Sequence, residues 1–365
     1  MFDLIVIGAG PAGASAAITA AGSGARVLLL ERGRLPRNRV CGEFVSAESL
    51  DLLARLLHSS GQDLLAQAHR IGKARVFSDG LALAAPVDPP AASIARLDLD
   101  IALWQAALNS GVDARLRVTV NAVEGRDPFR VVTSEGAFEG RAVIDASGRW
   151  SNLTPSALAA KAKPRHKWLG VKAHFAEENP SPSVDLYFFK GGYCGVQPVA
   201  LHGEGKSSRI NACAMVRADV ASTLSEVFQQ NSSLRERSRN WQQLTEPVNT
   251  SPLIFREPRP LDGHVLLAGD AAGFVDPFVG DGISLALRSG ELSARSLMPF
   301  LENNLSLEEA AQAYRRDYER KLLPVFRTSS KLRHMFLLPR AVRVLFLAVL
   351  QNSPSLTRYF VKKTR

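Results

Sequence analysis

The chain opens on an alternation of apolar runs and small residues. Residues 2–8, FDLIVIG, form an apolar run closed by glycine. Residues 11–24, PAGASAAITAAGSG, are small and span a helix length, and residues 25–31, ARVLLLE, are a second apolar run ending in an acid. Unbroken apolar strands around a helix predict a βαβ unit whose parallel strands are buried on both faces. Further along, residues 48–70 carry a helical pattern. ARVFSDGLAL (74–83) reads as a hairpin around Asp79-Gly80. Residues 98–110 form an amphipathic helix whose apolar positions include Leu99, Leu103, Trp104 and Ala107.

From Asp113 to Asp145 the pattern is short strands split by turn residues. Residues 166–217 are strand-rich, 218–240 helical, HVLLAGD (264–270) a further buried strand, and most of the remainder helical. The α/β signals lie towards the two ends, with β-rich insertions between them. This order predicts an α/β fold, α+β overall. A discontinuous dinucleotide-binding domain covers 1–72, 93–165 and 255–300, a β-rich substrate domain covers 73–92 and 166–254, and a helical segment covers 301–365.

Composition narrows the partners. The chain has 365 residues, a formal net charge of +10 and three cysteines. Cys41, Cys194 and Cys213 are far apart and form no CxxC, which suits a reducing cytoplasm and argues against structural zinc. No metal site is expected. The start, MFDLIVIGAGPAG, lacks the basic region and cleavage site of a secretory leader. No apolar run reaches the roughly 20 residues that span a bilayer. Charge is concentrated at the end: residues 331–365 hold eight Lys/Arg and no Asp/Glu. A solvated basic helix face is the plainer account. Contact with an anionic lipid surface or with an acidic redox donor or carrier protein is the alternative. No nucleic-acid module accompanies the charge.

Two motifs carry chemistry. Gly8-Ala9-Gly10-Pro11-Ala12-Gly13 is a GxGxxG sequence between a predicted strand and a predicted helix. Gly8 allows the tight turn, Gly10 lets backbone approach a pyrophosphate, and Gly13 lets helix and strand pack closely. The helix N-terminus favours the phosphates. Glu31, at the second strand end, suits ribose hydroxyls. The second motif is LLAGDAAGFVDPFVGDGISLALRSG (266–290). Asp270 follows a strand end and suits a ribityl hydroxyl. Gly280 and Gly282 would let a flat ring lie against their backbone. The helix starting near Gly282 would turn its positive end towards the pyrimidine side of that ring.

On GAGPAG with Glu31-Arg32, SIARLDLD (93–100), VIDASG (143–148) and GDAAGFVDPFVGDG (269–282), the chain resembles a family of FAD-dependent enzymes. That family contains geranylgeranyl reductases, para-hydroxybenzoate hydroxylase-type monooxygenases and flavin-dependent halogenases. RVCGEFVSAESL (39–50) is most similar to the geranylgeranyl-reductase-like branch. The resemblance implies a glutathione-reductase-type FAD-binding Rossmann domain with an inserted β-sheet domain. It implies FAD contacts from Gly8, Gly10, Pro11, Ala12, Gly13, Glu31 and Arg32. Arg39, Val40, Cys41 and Gly42 would lie along the flavin, and Arg96 would reach the flavin or its phosphates. Val120 would touch adenine through its backbone. Gly269, Asp270, Pro277, Gly280, Gly282 and Ile283 would complete the set. Glu43 would cap the following helix or hold Arg39.

Three chemistries use this scaffold. Flavin N5 hydride transfer to an apolar isoprenoid-, lipid- or polyketide-like substrate is the expected one, and hydroxylation through a C4a-hydroperoxide is the alternative. Halogenation and a non-catalytic flavoprotein rank lower. The Trp-x-Trp-x-Ile-Pro element of halogenases is absent, and GGYCGVQPV (191–199) stands where it would be sought. The Asp-Gly with a downstream Ser-x-Val-Arg that serves FAD and NADPH in hydroxylases stands here only as Ala146-Ser147-Gly148-Arg149-Trp150-Ser151, which weakens the hydroxylase reading and direct use of NADPH and leaves NAD(P)H one candidate electron donor. Tyr193 is the candidate proton donor, with Gln197 and Pro198 beside it facing the flavin, although an aromatic core residue is the plainer account. His166 and His202 are weaker candidates. Cys41 is a candidate thiol if a cation lies near it, and otherwise a small packed residue. Leu186, Tyr187, Phe188 and Phe189, with the apolar stretch 335–350, suggest a greasy substrate path.

Overall fold

A computed structural model of the chain describes residues 1–149, 153, 167–200, 208–253, 255, 257–276 and 280–336. Two sheets organise them. In the first, β6 (Asp113–Leu116), β2 (Val27–Glu31), β1 (Phe2–Ile7), β9 (Gly136–Asp145) and β17 (Val265–Leu267) run parallel. β16 (Leu261–Asp262) adds an antiparallel edge. The first half of β9 also pairs with β8 (Phe129–Thr133), which pairs with β7 (Val120–Gly125). Leu4 to Ile7 and Leu28 to Leu30 are buried without interruption, as the continuous apolar runs require of a sheet covered on both faces.

Helix α1 (Pro11–Gly22) connects β1 to β2 and packs against α7 (Gly282–Leu301). A side chain at Gly290 would stand 2.1 Å from the Ala12 carbonyl oxygen, so glycine sets this close crossing. Region 48–70 is broken into two short helices, α2 (Leu50–Leu57) and α3 (Gln62–Gln67), with a strand already begun at His69. Helix α4 (Arg96–Asn109) falls on the amphipathic pattern. Later helices α8 (Leu307–Lys321) and α9 (Leu323–Phe336) follow α7. Tyr314 and Tyr318 of α8 enter the core of the first sheet, and the Tyr314 hydroxyl donates to Leu267 O at 2.7 Å.

The second sheet runs β14 (Gln242–Gln243), β10 (Trp168–Ala176), β13 (Arg209–Arg217), β12 (Gly192–Pro198), β11 (Ser183–Phe189), β4 (His69–Ser78), β5 (Leu81–Ser93) and β3 (Phe44–Val45). β15 (Val248–Thr250) also pairs with β10. Its strands alternate, and the two faces differ in kind. One presents Val171, Ala173, Phe175, Tyr187, Val196, Ala212 and Ala214 to helices α5 (Leu224–Phe228) and α6 (Ser232–Arg237). By register, the other carries Lys172, His174, Asn211, Cys213, Met215, Tyr193, Gln197, Leu186 and Phe188. This second face meets the segment 40–44: Val40 Cγ1 lies 2.9 Å from where a Gly170 side chain would begin.

Candidate active site

The nucleotide end is built where β1 meets α1. Gly8 has φ +98°, and a Cβ there would stand 2.5 Å from Ala146 O. A Cβ at Gly13 would stand 1.7 Å from Gly8 O. Those two glycines shape the turn. Gly10 differs, with nothing within 4 Å of where its Cβ would be, so its backbone faces open space at the start of α1. Pro11 and Ala12 are buried in the first turn. The buried Glu31 carboxylate accepts from Ala9 N at 3.1 Å, Gly33 N at 2.8 Å and Arg37 Nη2 at 2.8 Å. Arg37 was not singled out by sequence. Arg32 is exposed. Val120 opens β7, two residues after Val118, whose N–H donates to Glu31 O at 3.0 Å.

The second motif packs directly on the first. A Cβ at Gly269 would stand 2.8 Å from Ala12 Cβ. Burial pushes the Asp270 carboxyl up, and the charges of Arg149 and Arg96 pull it back. Arg149 Nε lies 3.6 Å from Asp270, and its guanidinium lies 4.3 Å over the Phe274 ring. Gly280, with φ +75°, lies against Phe44, and Gly282 has nothing within 4 Å of a notional Cβ. Ile283 is buried in the first turn of α7. Pro277 lies outside the described residues, as do His166, His202, Trp150-Ser151 and everything beyond residue 336.

The segment 39–46 joins the two motifs. Arg39, Val40 and Cys41 are half-buried and Gly42 is exposed, again with open space where a side chain would stand. Cys41 Sγ accepts from Glu43 N at 3.3 Å, and the Arg96 guanidinium reaches the same sulfur. Arg96 is no surface residue opposite Asp98. It is half-buried, donating from Nε and Nη2 to Asp100 at 3.0 and 2.8 Å.

Glu43 is the centre of the segment, and its role differs from the one expected. It neither caps the following helix nor holds Arg39. Completely buried with φ +62°, it accepts from Lys172 Nζ at 2.5 Å and Arg96 N at 2.9 Å, and lies 2.8 Å from His174 Nε2. Burial alone would raise its pKa. The charge of Lys172 and the hydrogen bond and charge of His174 outweigh burial and bring it to about 2. Its backbone is held too: Gln197 Nε2 donates to Glu43 O at 3.1 Å, and Asn211 Nδ2 donates to Cys41 O at 3.0 Å. Gln197 therefore braces the segment.

A second acid lies just beyond. Ser46 Oγ donates to Asp281 Oδ1 at 2.9 Å and lies 2.7 Å from Ser284 Oγ. Burial pushes the Asp281 carboxyl up to about 6. Ser46, Arg288 and Ser284 pull it down, and Glu48 adds to the rise.

Tyr193 stands on the same sheet face, buried among Phe188, Met215 and Leu253, with Trp168, Leu186, Phe255 and Phe274 around them. Its phenol is raised well above 10, first by burial and then by the nearby charge of Asp276. The four residues 186–189 do not act together. Leu186 and Phe188 enter this cluster, whereas Tyr187 and Phe189 pack on the opposite face. Pro198 likewise has the opposite parity to Tyr193 and Gln197.

These residues suit an FAD. Three bare glycine backbones (Gly10, Gly42 and Gly282) lie in segments tied to one another through Ala12–Gly269 and Phe44–Gly280. Glu31 is placed for a ribose and the start of α1 for phosphates.

Comparison with known proteins agrees. Residues 3–149 match the family of FAD dependent oxidoreductases. The chain is 25% identical over 354 residues to digeranylgeranylglycerophospholipid reductase 2 of Methanopyrus kandleri, covering 92% of this chain and 86% of that one. It is 26% identical over 325 residues to the menaquinone reductase of Mycolicibacterium smegmatis, covering 80% of this chain and 75% of that one. In fold it is similar to a geranylgeranyl bacteriochlorophyll reductase-like protein of Thermoplasma acidophilum, with a TM-score of 0.79, 17% identity and 100% and 95% coverage. A flavin-dependent brominase gives 0.81 at 19% identity, with 100% and 93% coverage.

Proposed function

We infer that this chain, an FAD-dependent oxidoreductase related to geranylgeranyl reductases, reduces a double bond in an apolar, isoprenoid- or lipid-like substrate. The observation that carries the reading is the cluster of Phe188, Tyr193, Met215 and Leu253, which meets the second motif at Phe274. A buried apolar cluster adjoins the cofactor segments, with a phenol inside it.

In this reading the start of α1 and Gly10 hold the pyrophosphate, Glu31 the ribose, and Asp270 the ribityl chain. Gly42 and Gly282 receive the ring. When bound, FAD supplies two electrons, delivered with a proton as hydride from its ring nitrogen. The aromatic cluster orients the substrate and excludes water. Tyr193 supplies the second proton from its hydroxyl, which burial keeps protonated at neutral pH. Arg96 and Glu43 fix the Cys41-Gly42 backbone against which the ring rests. NAD(P)H or a reduced carrier protein provides the electrons, and the basic segment after residue 330 brings the enzyme to a lipid surface.

The test reduces flavin-loaded protein under nitrogen and adds a C20 polyprenyl alcohol as probe. The expected result is flavin reoxidation without oxygen and a product heavier by two hydrogens. Tyr193→Phe should slow this by about 100-fold. Reoxidation only with oxygen, and a product containing label from ¹⁸O₂, would replace reduction by monooxygenation. Comparing NADH, NADPH and dithionite as reductants identifies the donor class.

A further inference from the structure

Asp281 immediately precedes α7, a helix of 20 residues, and is 1% exposed. Its side chain makes no capping bond to that helix. Oδ1 is held by Ser46, while Oδ2 is buried without a hydrogen-bond partner among the described residues. The charged groups around it are Arg288 on its own helix and Glu48 on the facing segment, and Ser46 and Ser284 are the polar ones. A buried carboxyl with one satisfied oxygen and no ion-pair partner is poorly suited to permanent ionisation. The next residue, Gly282, has the bare backbone to which the flavin ring was assigned.

We propose that Asp281 takes up a proton when the bound flavin is reduced, so that two electrons enter the site with two protons. The inference rests on the FAD reading above. A two-electron donor passes both electrons to the flavin. One proton forms the N–H bond on the ring, which then carries one negative charge. The second proton passes from solvent to Asp281 and forms an O–H bond there, so the buried site gains no net charge. Transfer of hydride to substrate removes the ring's negative charge, and Asp281 releases its proton.

The magnitudes favour this. Burial pushes the Asp281 carboxyl up to about 6, and a neutral oxidised ring would add no charge to it, so it is mostly ionised at neutral pH. At an effective dielectric near 20, a negative charge about 6 Å from a carboxyl would raise it by about two pKa units. That carries Asp281 across neutrality. The N-terminal end of α7 stabilises both anions but cannot remove their mutual repulsion.

The experiment measures the midpoint potential of the flavin-loaded full chain from pH 5.5 to 8.5. The slope gives protons taken up per two electrons. The expected value is about two for the wild type between pH 6 and 8, and one for Asp281→Asn over the same range. Ser46→Ala removes the hydroxyl that favours the carboxylate, so the lower edge of the two-proton window should move up in pH. This second variant serves if Asp281→Asn does not fold. Equal slopes in wild type and Asp281→Asn, or an unmoved edge in Ser46→Ala, overturn the inference and leave the FAD reading intact. A protein that binds no FAD overturns both.

Discussion

Glu43 and Asp281 grip the same short stretch, one from within and one through Ser46, and the surroundings treat them in opposite ways. Glu43 is met by an ammonium, an imidazole and a backbone N–H, and stays ionised far into acid. Asp281 is met by a serine hydroxyl and holds its proton up to about pH 6. Both carboxyls are buried, so burial does not decide their charge. The number and sign of the donors decide it. A fully compensated acid locks a backbone, whereas an undercompensated one remains free to change protonation state.

Four measurements sharpen or break this contrast. Glu43→Gln leaves the Lys172 ammonium buried without its counter-charge and should lower unfolding free energy by about 3–5 kcal/mol, read from urea midpoints. A loss below about 1 kcal/mol would mean that Lys172 finds water or another acceptor, and the contrast with Asp281 would collapse. Next is the acid limb. The folded pKa of Glu43 lies below that of the unfolded chain, so its contribution is complete above about pH 4.5 and lost as pH falls towards about 2. This is on the order of 3 kcal/mol. The steep acid loss should be present in wild type and absent in Glu43→Gln.

Gln197→Leu should cost about 1–2 kcal/mol by removing the donors to Glu43 O and Ser93 Oγ. An unchanged midpoint would show that the carboxylate contacts alone hold the segment. The fourth effect has the reverse sign. Asp281 has a folded pKa above its unfolded value, so its penalty is absent below about pH 3.8 and grows as pH rises through about 6. Asp281→Asn should therefore gain about 2 kcal/mol relative to wild type between pH 4 and pH 7. A flat difference would place the Asp281 proton affinity near that of an ordinary carboxyl.

The parts of this arrangement that were legible in sequence are the local ones. GxGxxG, Glu31 and the glycine-rich run before α7 can be read because strand, turn and helix occur within a few tens of residues. The hairpin at Asp79-Gly80 shows itself by two adjacent turn residues, both at positive φ. The partners of Glu43 were not readable, because Lys172 lies 129 residues away. A signal was present nonetheless: WLGVKAHFA places Lys172 and His174 two apart in an apolar strand, hence on one buried face, where a charge needs a partner. The same period of two would have separated Leu186 and Phe188 from Tyr187 and Phe189. Ser46 and Asp281 are 235 residues apart and carried no such signal.

The stretch from Cys41 to Ser46 contains only the two-residue strand β3, paired to Ser93 and Ala92. Its remaining anchors come from α4, β10, β12, β13 and the start of α7. Its local hydrogen bonds are few, Glu43 N to Cys41 Sγ and Ser49 N to Ser46 O, so it takes its place only once both sheets have formed and come together. Amide hydrogen exchange should reflect this. The β4–β5 hairpin opens by its own local fraying, but the amide of Ile94, which donates to Glu43 O at 2.9 Å, is released only when the two halves of the molecule part. That single amide is a clock for the assembly of the whole enzyme.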